Sequence, residues 1–341
     1  MAQSVKTRKM QVGILAPSFK VGQVELKLGV EALKKAGFEV RTHPQCKKAH
    51  LFFAGTDEER ANAFYEYAID PTLPVLWAAR GGYGAIRLIP ILDHLSRTRG
   101  VPPTDKLLIS YSDGTVLNEY VRKNWGWATL HAPSPAYRKF SILEEQDWKA
   151  LQGWIRKEEV KAPWSGRKLQ FWGEKPGRTL EGTLVGGNLT VWTSLLGTSY
   201  EPEAKGKILF FEDVDESLYR IDRMLQQLFL SGSLHGVRAI VLGTFLNCKD
   251  VVSSVLKKEP RKQGVLVSPR PGDLKPIRKK IEDLVLLRVL FSELGKRLGV
   301  PVAFGLPVGH GPEVSPLPLG AQYRLHPDGR FELVRWNWIN P

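Results

Sequence analysis

Cysteine is nearly absent from this chain: 341 residues carry two, Cys46 and Cys248, far apart and with no C-x-x-C. That excludes a disulfide framework and a thioredoxin-like redox motif. No apolar run approaches the roughly 18 residues that span a bilayer, so a membrane span is not expected. The N-terminal stretch "MAQSVKTRKMQVGILAPSF" is basic, but its apolar run is short and Pro17 interrupts it. It reads as a first strand rather than a signal peptide. No His, Cys, Asp or Glu set has metal-ligand spacing, and H-E-x-x-H is missing, so neither a metal nor another cofactor is expected. Internal repeats and low-complexity tracts are lacking as well. The composition points to a cytoplasmic globular protein, long enough for two domains and for a core without staples.

Charge is unbalanced. The formal net charge is +14, which favours anionic partners without naming one. From Lys249 to Lys280 there are ten Lys/Arg against three Asp/Glu. No aromatic residue lies in that segment, so the stacking platform of a single-strand nucleic-acid binder is missing there. A solvated surface insertion accounts for it more simply. Nucleic acid is not expected as a partner.

The first 135 residues alternate short apolar runs with helical patterns. "QVGILAP", "FEVRTHP", "PVLWAA", "KLLIS" and "ATLHAP" read as strands. "VELKLGVEALKKAG", "DEERANAFYEYAID", "AIRLIPILDHL" and "GTVLNEYVRKNW" read as helices, with Thr56 a fitting N-cap and Gly37 a fitting C-cap. Such alternation predicts an open parallel α/β sheet, whose ligands bind beyond the carboxyl ends of the strands. Residues 136–178 lack clear periodicity and read as a loop-rich connection. Residues 179–341 read as a mixed α/β domain ending in a hairpin turned at Pro327-Asp328-Gly329.

Three strand ends carry candidate chemistry. "SYSDG" (110–114) resembles the nucleophile elbow G-x-S-x-G except that Ser110 replaces the first glycine. Read alone, Ser112 fits a helix cap better than it fits a nucleophile. "RGGYG" (80–84) could turn backbone N–H groups toward an anion, or be an ordinary tight loop. "FFEDVDE" (210–216) ends a strand on Glu212 and Asp213, and "GLPVGHG" (305–311) places His310 between glycines that would leave room for a substrate. His131 in "TLHAP" is a second candidate base. A hydroxyl nucleophile needs a base, and the base needs an acid to orient it.

These motifs, in this order, resemble the LD-carboxypeptidases of peptidase family S66, which include the microcin C immunity peptidase. The matching stretches are "LAPS" (15–18), "FAGTDEERA" (53–61), "WAARGGYGAIRLIPILD" (77–93), "LLISYSDGTVL" (107–117), "EGTLVGGNLT" (181–190), "KILFFEDVDESLYRIDRMLQQL" (207–228) and "PVAFGLPVGHG" (301–311). The resemblance implies a Rossmann-like N-terminal domain and a C-terminal domain built around a small β-barrel, with the active site at their junction. It implies a catalytic triad of Ser112, Glu212 and His310, oxyanion donors at Gly82 and Asp113, and a cleft lined by Gly81, Gly187 and Asn188. The implied activity is removal of the terminal D-Ala from murein tetrapeptides by a homodimer, in cell-wall recycling. A microcin-C-type hydrolase of aminoacyl nucleotides is the alternative, with Trp164, Phe171 and Trp172 available to stack a base or to fill a core. A non-enzymatic nucleic-acid binder, resting on charge alone, is more distant. Besides Ser110, the chain departs from the family pattern at His131-Ala132-Pro133, where "HGP" is usual.

Overall fold

The computed structural model describes residues 9–137, 140, 143–249 and 276–340. Most of the basic segment, residues 250–275, lies outside them. Two sheets organise the chain. In the first, strands β1 (Gln11–Leu15), β2 (Glu39–Thr42), β3 (Val75–Ala78), β4 (Leu107–Ser110) and β5 (Ala128–His131) run parallel in the order 2-1-3-4-5. Strands β3, β4 and β5 are buried along their whole length, as strands covered on both faces must be. Helices α1 (Gln23–Lys35), α2 (Asp57–Ile69), α3 (Ile89–Arg99) and α4 (Thr115–Trp125) make the crossovers.

Local chemistry sets the helix ends. Thr56 and Glu59 form a capping box that starts α2. Pro90 sits in the first turn of α3, where its missing N–H costs nothing. Gly37, at φ +88°, closes α1.

The connection is more structured than its sequence suggests. Residues Glu145–Ile155 form helix α5, which buries Ala150, Leu151, Trp154 and Ile155. Its apolar face was hidden among Lys, Glu and Trp. Strand β6 (Gln170–Phe171) follows.

The second sheet is mixed. Strands β7 (Leu180–Asn188), β8 (Ile208–Val214), β9 (Ala239–Leu246) and β10 (Val302–Phe304) are parallel. The sheet curls into a half-barrel. Helices α6 (Leu189–Thr193), α7 (Leu218–Leu230) and α8 (Pro276–Leu298) accompany it. Strands β12 (Gln322–Leu325) and β13 (Phe331–Arg335) form the expected terminal hairpin, which adds to the β7 edge.

One strand ties the halves together. Between β10 and the hairpin, β11 (Leu317–Leu319) crosses back and pairs antiparallel with β5. Beneath it a single apolar cluster runs from Ile14, Trp77 and Ile109 to Phe210, Val241 and Tyr323. The junction is therefore core, not a hinge. Trp164 and Trp172 are buried, the latter stacked on Phe304 at 4.2 Å between ring centroids, which fits their reading as core residues. No helix among the described residues is long and apolar enough to cross a membrane.

Candidate active site

The carboxyl ends of the parallel strands of the two sheets meet. Ser112 lies two residues past the end of β4 and sits at φ +58°, in the left-handed region. A non-glycine residue there is strained, by about 1–3 kcal/mol, and such strain collects at functional turns. Helix α4 starts three residues later at Thr115, so the chain reverses from strand to helix around the serine.

Ser110 adapts the bend without a glycine. Its side chain is fully buried, and its Oγ lies 2.8 Å from Asn118 Oδ1 and 3.2 Å from the Gly114 carbonyl. Asn118 Nδ2 donates back to the Ser110 carbonyl at 3.3 Å. The hydroxyl thus fills the space under the turn and fastens it to the second turn of α4.

Gly81 and Gly82 lie alongside. A Cβ placed on Gly81 would come within 3.2 Å of Ser112 Oγ. The Gly82 N–H has no acceptor among the described residues. Asp113 fixes this turn from below. Its buried carboxylate accepts from the Ala85 N–H at 2.8 Å, and burial pushes its pKa upward. Arg60, fully buried on α2, donates to the Pro17 and Gly84 carbonyls and pairs with Asp57. The loops after β1 and β3 are therefore pinned by one guanidinium, a role the sequence did not announce.

The candidate acid and base come from the other half, Glu212 on β8 and His310 in the loop after β10. His310 Nδ1 is 2.7 Å from Glu212 Oε2, and the His310 N–H donates to the same oxygen at 3.2 Å. Glu212 is fully buried. Burial alone would raise its pKa, but the charge and hydrogen bond of His310 overcome it and hold it below the ordinary value. Burial likewise works to lower His310, and Glu212 overcomes it, so His310 is raised. Both shifts favour the charged pair.

A bulge aims the acid. Between Phe211 and Asp213 one residue of β8 faces two of β9, Gly243 and Thr244. Thr244 Oγ1 accepts from the Gly311 N–H at 3.0 Å and so anchors the loop bearing His310. The glycines beside His310 do not make room for a substrate, as expected from sequence. Gly309 is at φ +121°, and a Cβ there would lie 2.7 Å from Glu212 Oε2; one on Gly311 would strike Thr244. They make room for the histidine's own supports.

Asn188 serves the acid. One amide hydrogen goes to Glu212 Oε1 at 3.3 Å and the other to Asp213 Oδ1 at 3.0 Å. Its Oδ1 caps α6 at Val191, and its backbone N–H donates to Thr115 Oγ1 at 3.0 Å. Both side-chain donors are thus taken inside the protein, which leaves Asn188 none for a cleft ligand. Asp213 also accepts two bonds from Thr190, and burial with the adjacent Glu212 charge pushes its pKa up to about 6. Gly187 lets the strand approach, since a Cβ there would meet Thr115 Oγ1 at 2.5 Å.

Tyr111 joins the halves. Its ring stacks on His310 at 4.9 Å and 30°, one residue before Ser112. His131, the second candidate base, lies behind it. Its ring meets Tyr111 and Phe210 edge-on, neither nitrogen has a partner among the described residues, and burial lowers its pKa to about 4. It is a neutral core wedge. Tyr111, Thr115 and Asp213 lie within the motifs, but a motif does not say which neighbour touches which; Thr244, on β9, lies outside them.

Two family models match the chain: the LD-carboxypeptidase N-terminal domain over residues 12–132 and the LD-carboxypeptidase C-terminal domain over residues 181–325. The chain belongs to the LD-carboxypeptidase family. Its two modules carry the two halves of the site: Ser112 with the 80–84 turn, and Glu212 with His310. A relative in Rickettsia prowazekii named as a carboxypeptidase is 36% identical over 207 residues, which cover 60% of this chain and 64% of that protein's length. The murein tetrapeptide carboxypeptidase of Pseudomonas aeruginosa is 27% identical over 332 residues, 96% of this chain and 94% of that one. Among solved structures, the muramoyltetrapeptide carboxypeptidase of Oxalobacter formigenes superposes with a TM-score of 0.71 at 28% identity, covering 94% of this chain and 97% of that one. The microcin C7 self-immunity protein MccF shares the fold, with a TM-score of 0.71 at 20% identity and 96% coverage of both chains.

Proposed function

We propose that the protein is a serine-type LD-carboxypeptidase that removes the terminal D-Ala of murein tetrapeptides, at the bond from the L-centre of meso-diaminopimelate. The observation that carries this is a left-handed Ser112 whose neighbour Tyr111 stacks on His310, itself bonded to a buried Glu212. Ser112 Oγ attacks the peptide carbonyl carbon while His310 takes its proton. Glu212 fixes the imidazole with Nδ1 toward the acid and Nε2 toward the serine, and stabilises the imidazolium that forms. The oxyanion sits on the Gly82 and Asp113 N–H groups. The C–N bond breaks, His310 gives its proton to the departing D-Ala amine, and water then releases the tripeptide acyl group by the same relay.

The decisive experiment incubates the protein with purified L-Ala-γ-D-Glu-meso-diaminopimelate-D-Ala and measures D-Ala. Release by the wild type and none by Ser112→Ala is expected. Undiminished release by Ser112→Ala would sink the assignment of the nucleophile. The reading extends to a cytoplasmic homodimer. Cys46 and Cys248, both free and buried, suit a reducing compartment. Light scattering in solution checks the dimer.

A further inference from the structure

A carboxypeptidase must recognise the free carboxylate at the end of its substrate, one residue beyond the bond it cuts. None of the residues placed so far does this. The serine, the acid–base pair and the amides all act on the scissile carbonyl. The carboxylate needs a cation within a few ångströms of the oxyanion turn, fixed in place and not already neutralised.

The guanidinium groups around the first sheet's carboxyl end are mostly committed. Arg60 is buried and pairs with Asp57, and Arg87 makes a two-pronged contact with the same Asp57. Farther along the junction, Arg167 is held bidentately by Glu313. Arg80 differs. It is exposed, directly precedes Gly81-Gly82, and has no carboxylate partner among the described residues. Its Nη1 donates to the Lys20 carbonyl at 2.9 Å, and its guanidinium lies 5.8 Å from the Phe19 ring centroid. Phe19 in turn packs at Gly82, where an added Cβ would lie 2.4 Å from its ring. The charge of Arg80 is also felt at Tyr111, where burial, Tyr137 and Glu212 raise the phenol's pKa and Arg80 opposes them. Arg80 thus lies next to the turn that carries Gly82, over the same Phe19 ring that packs at that glycine. One carbonyl and one aromatic face hold it, leaving other N–H groups of its fork for a ligand.

We propose that Arg80 binds the terminal carboxylate of the substrate and makes the enzyme a carboxypeptidase rather than an endopeptidase. This rests on the function proposed above. The Phe19 face and the Lys20 carbonyl pre-set the guanidinium, so little side-chain entropy is lost when the carboxylate arrives. A bidentate pair also fixes the distance from carboxylate to scissile bond, so longer peptides are excluded by register as well as by charge.

The test compares two substrates in three proteins: the tetrapeptide with a free terminal carboxylate and the same peptide with a terminal carboxamide, given to wild type, Arg80→Ala and Arg80→Lys. Wild type should prefer the free acid by about 10–100-fold in kcat/KM. Arg80→Ala should lose about that factor on the acid, change little on the amide, and so bring the ratio near one. Arg80→Lys keeps the charge but not the fork and should fall between. Retained cleavage of the amide also shows that the variants are folded. Equal losses on both substrates, or no loss on either, overturn the role given to Arg80 while leaving D-Ala release by the wild type intact. No D-Ala release by the wild type overturns the function itself, and this inference with it.

Discussion

Ser112 is placed mainly by main-chain geometry, whereas Glu212 and His310 are held mainly by side-chain hydrogen bonds. On the serine side the devices are a left-handed residue, closely packed glycines and a turn pinned by Asp113 and Arg60. On the acid–base side they are hydrogen bonds within a water-excluded layer: Asn188 and Asp213 behind Glu212, Thr244 behind His310. Tyr111 on His310 and Thr115 on Asn188 link the two. The difference has a physical reason. A nucleophile must be presented precisely but needs no charge of its own, so backbone geometry suffices. A buried charged pair must be compensated, and only directed polar contacts can do that.

Breaking each side should therefore fail differently. Ser112→Ala removes the proposed nucleophile and should lower kcat by about 10⁴-fold or more without unfolding the protein; a melting curve alongside the D-Ala assay separates the two effects. Glu212→Gln keeps the shape and removes the charge, and kcat should fall by about 10³–10⁴-fold. Gly309→Ala puts a methyl into the Glu212 carboxylate at a positive φ. It should cost a few kcal/mol of stability together with roughly 100-fold in kcat. Loss of activity at full stability would show that the acid moved while the loop did not.

The pH profile sharpens the comparison. His310 must be neutral to accept a proton, and its pKa is raised above 6.5 because Glu212, Asp213 and Asp215 outweigh its burial. Activity should rise with pH through a value above 6.5, and Glu212→Gln should move that limb downward. His131, held neutral, adds nothing to it. Titrating kcat/KM from pH 5 to 9 reads both. The smallest effect belongs to Ser110→Gly, which deletes the contact with Asn118 on the backbone side. Stability should drop by about 1–2 kcal/mol while kcat changes only a few-fold.

Much of the first domain was legible because hydrophobic period, Thr56 and Gly37 are local signals, and local chemistry ends helices. Helix α5 was missed because its buried Trp154 and Leu151 sit in a charged, aromatic-rich stretch whose average looks like a loop. Strand β11 was missed because three residues, Leu-Pro-Leu, carry no period, and their partner β5 lies nearly 190 residues away. The candidate triad was legible as three strand ends carrying Ser, Glu and His. Their supports were not, since the Asn188–Glu212 and Thr244–Gly311 contacts are long-range.

By itself, then, the sequence determined the alternation of strands and helices and which side chains could do chemistry, because periodicity and residue type are properties of the chain. Only the tertiary structure decided what those side chains face. It put His131 into the core with no hydrogen-bond partner among the described residues and His310 onto Glu212, and it gave the glycines around His310 to the acid and to Thr244. Burial and contact, which set protonation and orientation, exist only once the two sheets have come together.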